Sequence, residues 1–582
     1  MEKIGSILLA DCGTAMTKVV LLDQVGGQYR LIARGEAPTT AEAPWSDVAA
    51  GILHAAEEIT AVTGWSLFDG SGNLICPELA GRQGVDVFAA TASVSPPLRV
   101  VVGGLVRDLS VAAAERAAAG TYSLVNTILS GEERGFLKEE ELVRMIHRAA
   151  PDAICIAGGV EGGAEAPVLE LVRTAALACA LIDPQSRPFL LYAGNSRLRQ
   201  RVVKIVEGRA ELRSADNVCP TLAQDNPLKA REELDALYLN KMKTLSGIET
   251  VESWSPTPLT PTARAFGKLV EYIWHLGDPS KGVLGVDVGA ASTTLAAVFD
   301  GKLFLTVRSG LGIAFGGDQL LRERGAENIT RWLPEPMREG EARGLLINKE
   351  MRPTSIPQVE RELWLEQAVA REAIRTTLEM AHPGWETDAA QPYPHLLPLC
   401  DTIIASGGVL THAPHPGQAT LIILDGLQPT GITTLVLDKY GLAPLLGSAA
   451  KIKPLAAVET LDNGSFANLA TVVTPVEGRA RRGDTVLKLR VTYRDGGSFG
   501  AEVRYGELEV LPLLPGQKAI LELHPLRRFD VGLGGPGKGG KREIHGGLLG
   551  LVIDARGRPL RVSRDPERRQ AQMQQWRRDV GG

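Results

Sequence analysis

Short apolar runs alternate with polar, glycine-punctuated segments from the start of the chain. Residues 4–10 (IGSILLA) and 18–23, the latter built on the apolar run 19–22, read as strands, and Asp11 and Gly13 stand between them. Runs of this kind bounded by turn residues predict two buried strands joined by a tight turn, with residues 28–33 as a third strand of the meander. A helical period follows. Val48, Ile52, Ala55, Ile59 and Val62 share one face, with Ser46 as the N-cap. Next come a strand at 98–102, an alanine-rich helix at 111–119 capped by Ser110, and a polar helix near 137–149. An apolar run at 153–157 enters Gly158-Gly159-Val160-Glu161-Gly162-Gly163, and the run at 188–193 ends in Gly194-Asn195. Strands alternating with helices predict an α/β architecture.

The Pro/Thr-rich segment 254–262 breaks this pattern, a helix at 263–275 follows, and the opening pattern then returns. Strands flank Asp287 and Gly289, a third strand covers 303–307, and a glycine turn spans 310–317. A long helix is expected around 357–381, a strand at 402–405 running into Ser406-Gly407-Gly408, and a small-residue helix at 441–452. Beyond about residue 465, segments 484–494, 500–511 and 518–524 are β-rich, 532–547 is a glycine- and lysine-rich loop, 548–553 is a strand, and 565–582 is a charged tail. The expected organisation is a first lobe over 1–275 with insertions, a second lobe over 276–464, a small β-rich domain over 465–565 and a tail over 566–582.

The return of the pattern carries chemistry. Ala10-Asp11-Cys12-Gly13-Thr14-Ala15-Met16-Thr17-Lys18 and Val286-Asp287-Val288-Gly289-Ala290-Ala291-Ser292-Thr293-Thr294 align Asp with Asp, Gly with Gly and Thr17 with Thr293. Glycine lets a turn approach a phosphate closely, and successive backbone N–H groups form a concavity for an anion. Thr14, Thr17, Lys18, Ser292 and Thr293 offer further contacts. A carboxylate repels phosphate, so Asp11 and Asp287 are expected to hold hydrated Mg²⁺ or to orient a water. Either turn alone is also an ordinary hairpin turn; it is the pair, one in each half, that points to a nucleotide gripped from both sides. Gly407-Gly408, after an apolar strand, is a place where backbone can pass close to an adenosine.

Length and composition set limits. With 582 residues the chain holds two to four domains. A net charge of -5 argues against non-specific nucleic-acid binding. The six cysteines are dispersed without a C-x-x-C pair, which speaks against a disulfide framework or structural zinc and fits a reducing cytoplasm. No apolar stretch approaches ~18 residues, so no membrane helix is expected, and the N-terminus reads as a first strand rather than a signal peptide. Cys12 reads as a small buried filler, with oxidation sensing as the alternative.

These elements, in this order, resemble the actin/Hsp70/sugar-kinase ATPase superfamily. The turn at 11–18 is similar to its phosphate-1 motif, that at 287–293 to its phosphate-2 motif, and Ile404-Ala-Ser-Gly-Gly408 to its adenosine motif. Gly316-Gly317-Asp318 resembles the Gly-Gly-acid turn of the Hsp70 branch. The resemblance implies two ribonuclease-H-like lobes with ATP and Mg²⁺ in the cleft between them. A narrower likeness covers most of the first 450 residues. The segments 157–163, 192–195, 404–410 and 425–433 resemble the GlmL/MutL family, the glutamate-mutase-associated group. That likeness implies an ATP-driven chaperone or reactivating factor for an adenosylcobalamin-dependent mutase. A small-molecule kinase and an actin-like structural ATPase remain alternatives on the same scaffold. An iron–sulfur dehydratase activator is disfavoured by the placement of the cysteines. Ala290 departs from the Ser or Thr of many relatives. Glu161, between glycine pairs, is the candidate for polarising water, with a surface glutamate as the alternative. Lys538, Lys541 and Arg542 are candidates for meeting an acidic partner, against a plain glycine loop.

Overall fold

The computed structural model describes residues 4–132, 138–385 and 393–581. Residue 137, in the expected polar helix, and residue 582, in the expected tail, lie outside these. Two compact units result: Val94–Ile248 with Leu305–Ser309, and the rest of the chain, Met1–Ser93, Glu249–Phe304 and Gly310–Gly582.

The larger unit opens with β1 (Ile7–Cys12), β2 (Met16–Val25), β3 (Gln28–Pro38) and β4 (Val87–Ala92). The first three form an antiparallel meander, and β4 pairs with β1 in parallel. Every residue of β1 is buried. A strand flanked on both sides and covered on both faces reads as an unbroken apolar run, which is why its sequence signal is clear. Helix α1 (Val48–Thr63) packs closely on β3: a Cβ on Gly35 would sit 1.9 Å from the Ala55 carbonyl oxygen. The cap is Asp47, whose carboxylate accepts from the Ala49 N–H, and not Ser46; Val62 is 81% exposed, so the buried stripe ends at Ile59.

The inserted unit is a parallel sheet of β5 (Leu98–Gly104), β6 (Ser123–Ser130), β7 (Ala153–Ala157), β8 (Phe189–Tyr192) and β9 (Leu212–Ser214), in the order β6-β5-β7-β8-β9. Ile154, Ile156, Val172, Leu190 and Tyr192 lie in its core. Ser110 does not cap the alanine-rich helix. It lies within a preceding π-helical turn, and its hydroxyl accepts from the N–H groups of Leu105 and Val106.

The chain then completes the first sheet with β10 (Thr260–Pro261), parallel to β4, and continues into α2 (Thr262–Leu276). The second half follows with β11 (Gly282–Val288), β12 (Ser292–Phe299), β13 (Lys302–Ser309), α3 (Glu360–Ala381), β14 (Cys400–Ser406), β15 (Gly431–Leu437) and α4 (Ala443–Ile452). Its sheet runs β13-β12-β11-β14-β15, the same order as β3-β2-β1-β4-β10 in the first half. The sequence repeat is thus a structural repeat of two ribonuclease-H-like sheets. Helices α2 and α4 touch backbone to backbone, since a Cβ on Gly447 would lie 1.9 Å from the Ala265 carbonyl oxygen.

The C-terminal β-rich region comprises β16 (Ala467–Thr474), β17 (Thr485–Tyr493), β18 (Ser498–Arg504), β19 (Leu508–Leu511), β20 (Lys518–Pro525), β21 (Gly540–His545) and β22 (Gly550–Asp554), closed by α5 (Pro566–Asp579). Strands β16, β22 and β19 extend the second sheet. Strands β18, β17, β20 and β21 form a sheet of their own, whose Leu487, Leu489, Leu521 and Leu523 pack with Leu551 and Ile553 of β22. Strand β21 lies inside the segment expected to be a loop. Only Ile544 points inward there, while Lys541, Arg542, Glu543 and His545 stay exposed. Backbone pairing with β20 makes this strand, and apolar periodicity does not reveal it. Lys541 and Arg542 are committed within the chain, to Glu522 and to Asp278 and Asp401.

Candidate nucleotide site

The two Asp-Gly turns are built alike. Asp11 is the penultimate residue of β1, opposite Lys18, and Asp287 that of β11, opposite Thr294. In each, the turn glycine donates three residues ahead, Gly13 to the Met16 carbonyl at 3.0 Å and Gly289 to the Ser292 carbonyl at 2.9 Å. A Cβ on Gly13 would lie 2.7 Å from that Met16 oxygen, so glycine is required there. Among the described residues, the tip N–H groups of Thr14 and Ala15, and of Ala290 and Ala291, donate to no protein acceptor. Paired free donors at a turn tip suit an anion. Ala290 lacks a hydroxyl, but its carbonyl is held by the N–H groups of Ala314 and Phe315.

The equivalent threonines do not face a ligand. Thr17 and Thr293 are fully buried. The Thr293 hydroxyl donates to the Leu311 carbonyl, 2.6 Å away. Thr39 spends its hydroxyl hydrogen on the Gly13 carbonyl, so Thr17 is the donor in the Thr17–Thr39 pair. Both hydroxyls pin the turns from within, which corrects their expected role as direct nucleotide contacts. Thr14 and Ser292 remain partly exposed, and the Thr14 hydroxyl reaches the Ser93 carbonyl at 3.1 Å. Cys12 is buried, and burial, followed by the Asp11 charge, pushes its thiol far above the ordinary range. It behaves as a filler.

Four charged groups converge between the turns. Asp11 is 8% exposed, and its Oδ1 accepts hydroxyl bonds from Thr91 and Thr262, both at 2.7 Å. Asp287 has neither an ion pair nor a hydrogen bond to a protein group among the described residues. It keeps a sliver of solvent access, yet it is so closely surrounded that burial pushes its carboxyl up to about 7. Lys18 pulls it down, and the charges of Asp11 and Asp438 add to the rise. Asp438, fully buried after β15, accepts from the N–H groups of Leu442 and Ala443 at 2.8 Å each and from the Ser406 hydroxyl at 3.0 Å. Burial pushes its carboxyl up as well, and those bonds together with Lys18 oppose the rise. The Lys18 ammonium lies 2.8 Å from the point a Cβ on Gly441 (φ +68°) would occupy. Asp438, Thr91 and Thr262 lie outside the repeated pattern. The available signal was a polar residue where an apolar strand stops, the same signal that marks Asp11.

The remaining glycines divide in the same manner. Gly316 (φ +100°) would place a Cβ 1.7 Å from the Gly310 carbonyl oxygen, and Gly317 lies against Leu346. They start the helix Gly317–Arg324, where Asp318 pairs with Arg322 and Arg343. Gly407 (φ +98°) packs on the Val288 backbone, whereas Gly408 is exposed, and a Cβ there would meet only His412 Nδ1, at 3.8 Å. Glu161 belongs to the inserted unit. Its carboxylate accepts from the Ser196 N–H, the Ser196 hydroxyl and the Asn217 amide, and its N–H donates to the Pro220 carbonyl. Desolvation raises its carboxyl, but the bonds from Ser196 and Asn217 carry it below its ordinary value. It staples three loops of that unit. Among the described residues, no group of three or more His, Cys, Asp or Glu is arranged to hold a metal directly. No described helix is long and apolar enough to cross a membrane.

The repeated sheets and paired aspartate turns define an ATPase scaffold of the actin type. The chain belongs to the MutL protein family, whose model matches residues 7–464. It is 25% identical over 441 residues to Protein MutL of Clostridium tetanomorphum, covering 71% of this chain and 88% of that protein. Among solved structures it is similar to a nucleotide-free acetone carboxylase, at 11% identity and TM-score 0.32, covering 86% of this chain and 81% of that one. It is also similar to a glycerol dehydratase reactivase, at 11% identity and TM-score 0.30, covering 77% of this chain and 100% of that one.

Proposed function

We propose that this chain is a magnesium-dependent ATPase that assembles or reactivates an adenosylcobalamin-dependent mutase. The observation that carries the ATPase half is Asp287, a closely surrounded carboxylate without a protein donor, next to Asp11, Asp438 and Lys18. Such a group is stabilised by a cation. Hydrated Mg²⁺ uses few protein carboxylates and keeps several waters, so the absence of a three-ligand cluster among the described residues is no obstacle. Asp287 and Asp11 would hold that ion through water, where it would neutralise phosphate charge. The free N–H pairs at 14–15 and 290–291, with Lys18, receive phosphate oxygens. The open face of Gly408 leaves room for the base. Asp438 holds the start of α4, and its charge acts on Lys18. Membership of the MutL family supports the mutase half of the proposal, through the family's association with glutamate mutase.

The test is capture of the full chain from its native host, followed by elution with ATP and Mg²⁺. The expected result is a cobalamin-dependent mutase that is released by ATP and retained with ADP. Stoichiometric transfer of phosphate from ATP to a sugar or short organic acid would instead identify a kinase. No heat on titration with adenine nucleotide and Mg²⁺ would remove the ATPase half.

A further inference from the structure

A pocket of ≈ 320 Å³, counted with its open mouth, lies where α5 meets α3 and the helix Pro416–Gly426. Trp332, Trp364, Arg371, Asp425, Trp576 and Arg577 line it, and inside its mouth the whole pocket admits little more than one water-sized group. None of these residues belongs to the paired aspartate turns. The family match ends at residue 464, so Trp576 and Arg577 enter from outside the matched span.

The hydrogen bonding around this pocket is lopsided. Asp425 is 1% exposed and already serves two guanidiniums, Arg371 Nε at 2.8 Å and Arg556 Nη1 at 2.9 Å. Arg556 also holds Asp554, which in turn takes Arg558 at 2.7 Å. Trp332 Nε1 donates to Glu372 at 2.7 Å. Both carboxylates here, Asp425 and Glu372, are already paired, yet two donors are left over. Trp364 Nε1 and Arg577 Nε are both shielded from solvent and have no partner. Among the described residues, Arg577 makes no ion pair. Burial holds its guanidinium below its usual range, Glu360 acts to raise it, and Arg371 lowers it further. Each pocket guanidinium also lies over an indole, Arg577 over Trp364 at 4.9 Å and Arg371 over Trp332 at 5.8 Å. Stacking on a face leaves the in-plane N–H edge of a guanidinium for an acceptor.

Buried donors without acceptors are costly, and two lining guanidiniums outnumber the one lining carboxylate. We infer that this pocket binds a carboxylate carried on a short apolar stem, with Arg577 and Trp364 as its donors. The narrow interior and indole walls suit the planar carboxylate of a ligand whose stem lies in the open mouth better than a tetrahedral phosphate. The stem would pack on Trp332 and Trp576. A free organic acid and the C-terminus of a peptide share this chemistry.

Tryptophan fluorescence of the full chain, titrated with butyrate at constant ionic strength, tests the inference. The expected result is a saturable change with butyrate and none with butyramide or chloride. Arg577→Met should weaken the midpoint about tenfold or more. Trp364→Phe keeps the ring and removes only the donor, and should weaken it by a smaller factor. Asp287→Asn should leave the curve unchanged. A tripeptide with a free C-terminus that competes, when its amide does not, assigns the site to chain ends; butyrate alone assigns it to small acids. An equal response to butyramide, or a wild-type curve in both Arg577→Met and Trp364→Phe, would show that the pocket holds water only.

Discussion

Gly407 lies flat against Val288: a methyl group on Gly407 would fall 2.2 Å from the Val288 carbonyl oxygen. The end of β14 is therefore locked beside the end of β11, which sets the second aspartate turn next to the open face of Gly408. Gly407 also has φ +98°, in the left-handed region. Gly407→Ala combines backbone strain with overlap and should destabilise the chain by about 2–4 kcal/mol. Gly408→Ala, exposed and with only an ordinary contact to His412 at 3.8 Å, should change stability by less than about 0.5 kcal/mol. Denaturant melts of the two variants check this, and equal midpoints would contradict it.

Asp287 supplies a pH dependence of defined sign. Its carboxyl is raised to about 7, so between roughly pH 4 and 7 the folded state without metal binds more protons than the unfolded state. Stability without metal therefore falls as pH rises through that window and levels above it. Asp287→Asn should melt higher than wild type at pH 8, with the gap closing towards pH 4. Mg²⁺ requires the ionised form, so Mg²⁺-dependent nucleotide affinity should climb about tenfold per pH unit below 7 and flatten above 8. Asp438→Asn removes one negative neighbour and should move that bend to lower pH. Calorimetric titrations across pH 5.5–8.5, a range of roughly three units around the expected bend, would read it.

Asp11 is oriented by two hydroxyls, and one of them comes from the first residue of α2. Thr262→Val keeps the shape and removes one donor to a buried carboxylate. A loss of about 1.5–3 kcal/mol is expected, together with weaker nucleotide binding. Asp11→Ala and Asp287→Ala should abolish ATP turnover with far-UV circular dichroism unchanged. Full turnover in both would overturn their proposed role.

The C-terminal strands are tied to the second lobe by buried charges rather than by apolar contact alone. Asp554 is fully buried. Desolvation acts to raise its carboxyl, but Arg556 and Arg558 hold it well below the usual carboxylate range. Its stabilising contribution is present above about pH 4 and disappears as pH falls towards the depressed folded value. Asp554→Asn leaves two guanidiniums short of a counter-charge and should cost about 3–5 kcal/mol at pH 7. A melt at pH 7 beside one near pH 3 (roughly one unit below the unfolded carboxylate) should show the penalty shrinking in acid.

The duplicated architecture was legible in the sequence because its carriers are local. β1 and β11 are buried runs with Asp next to last, the turns after them carry glycine, and the later strand β14 runs into Gly407-Gly408. Periodicity within a few residues reports burial of a strand or helix face, and those elements formed where it placed them. Boundaries were less secure. The cap moved from Ser46 to Asp47, and β21 went unseen because its outward side chains are all polar.

The identity of the turns, their glycines and their aspartates was thus determined by the sequence alone. Only the tertiary structure decided what each side chain does, because that depends on neighbours far away in the chain. Thr17 and Thr293 look like ligand contacts by spacing, yet they are buried and spend their hydroxyls on Thr39 and Leu311. Asp11 meets Thr262, 251 positions away, and Asp287 acquires its high proton affinity from burial and from Lys18, Asp11 and Asp438. Burial and charge are set by packing between distant segments, and no local pattern of residues encodes them.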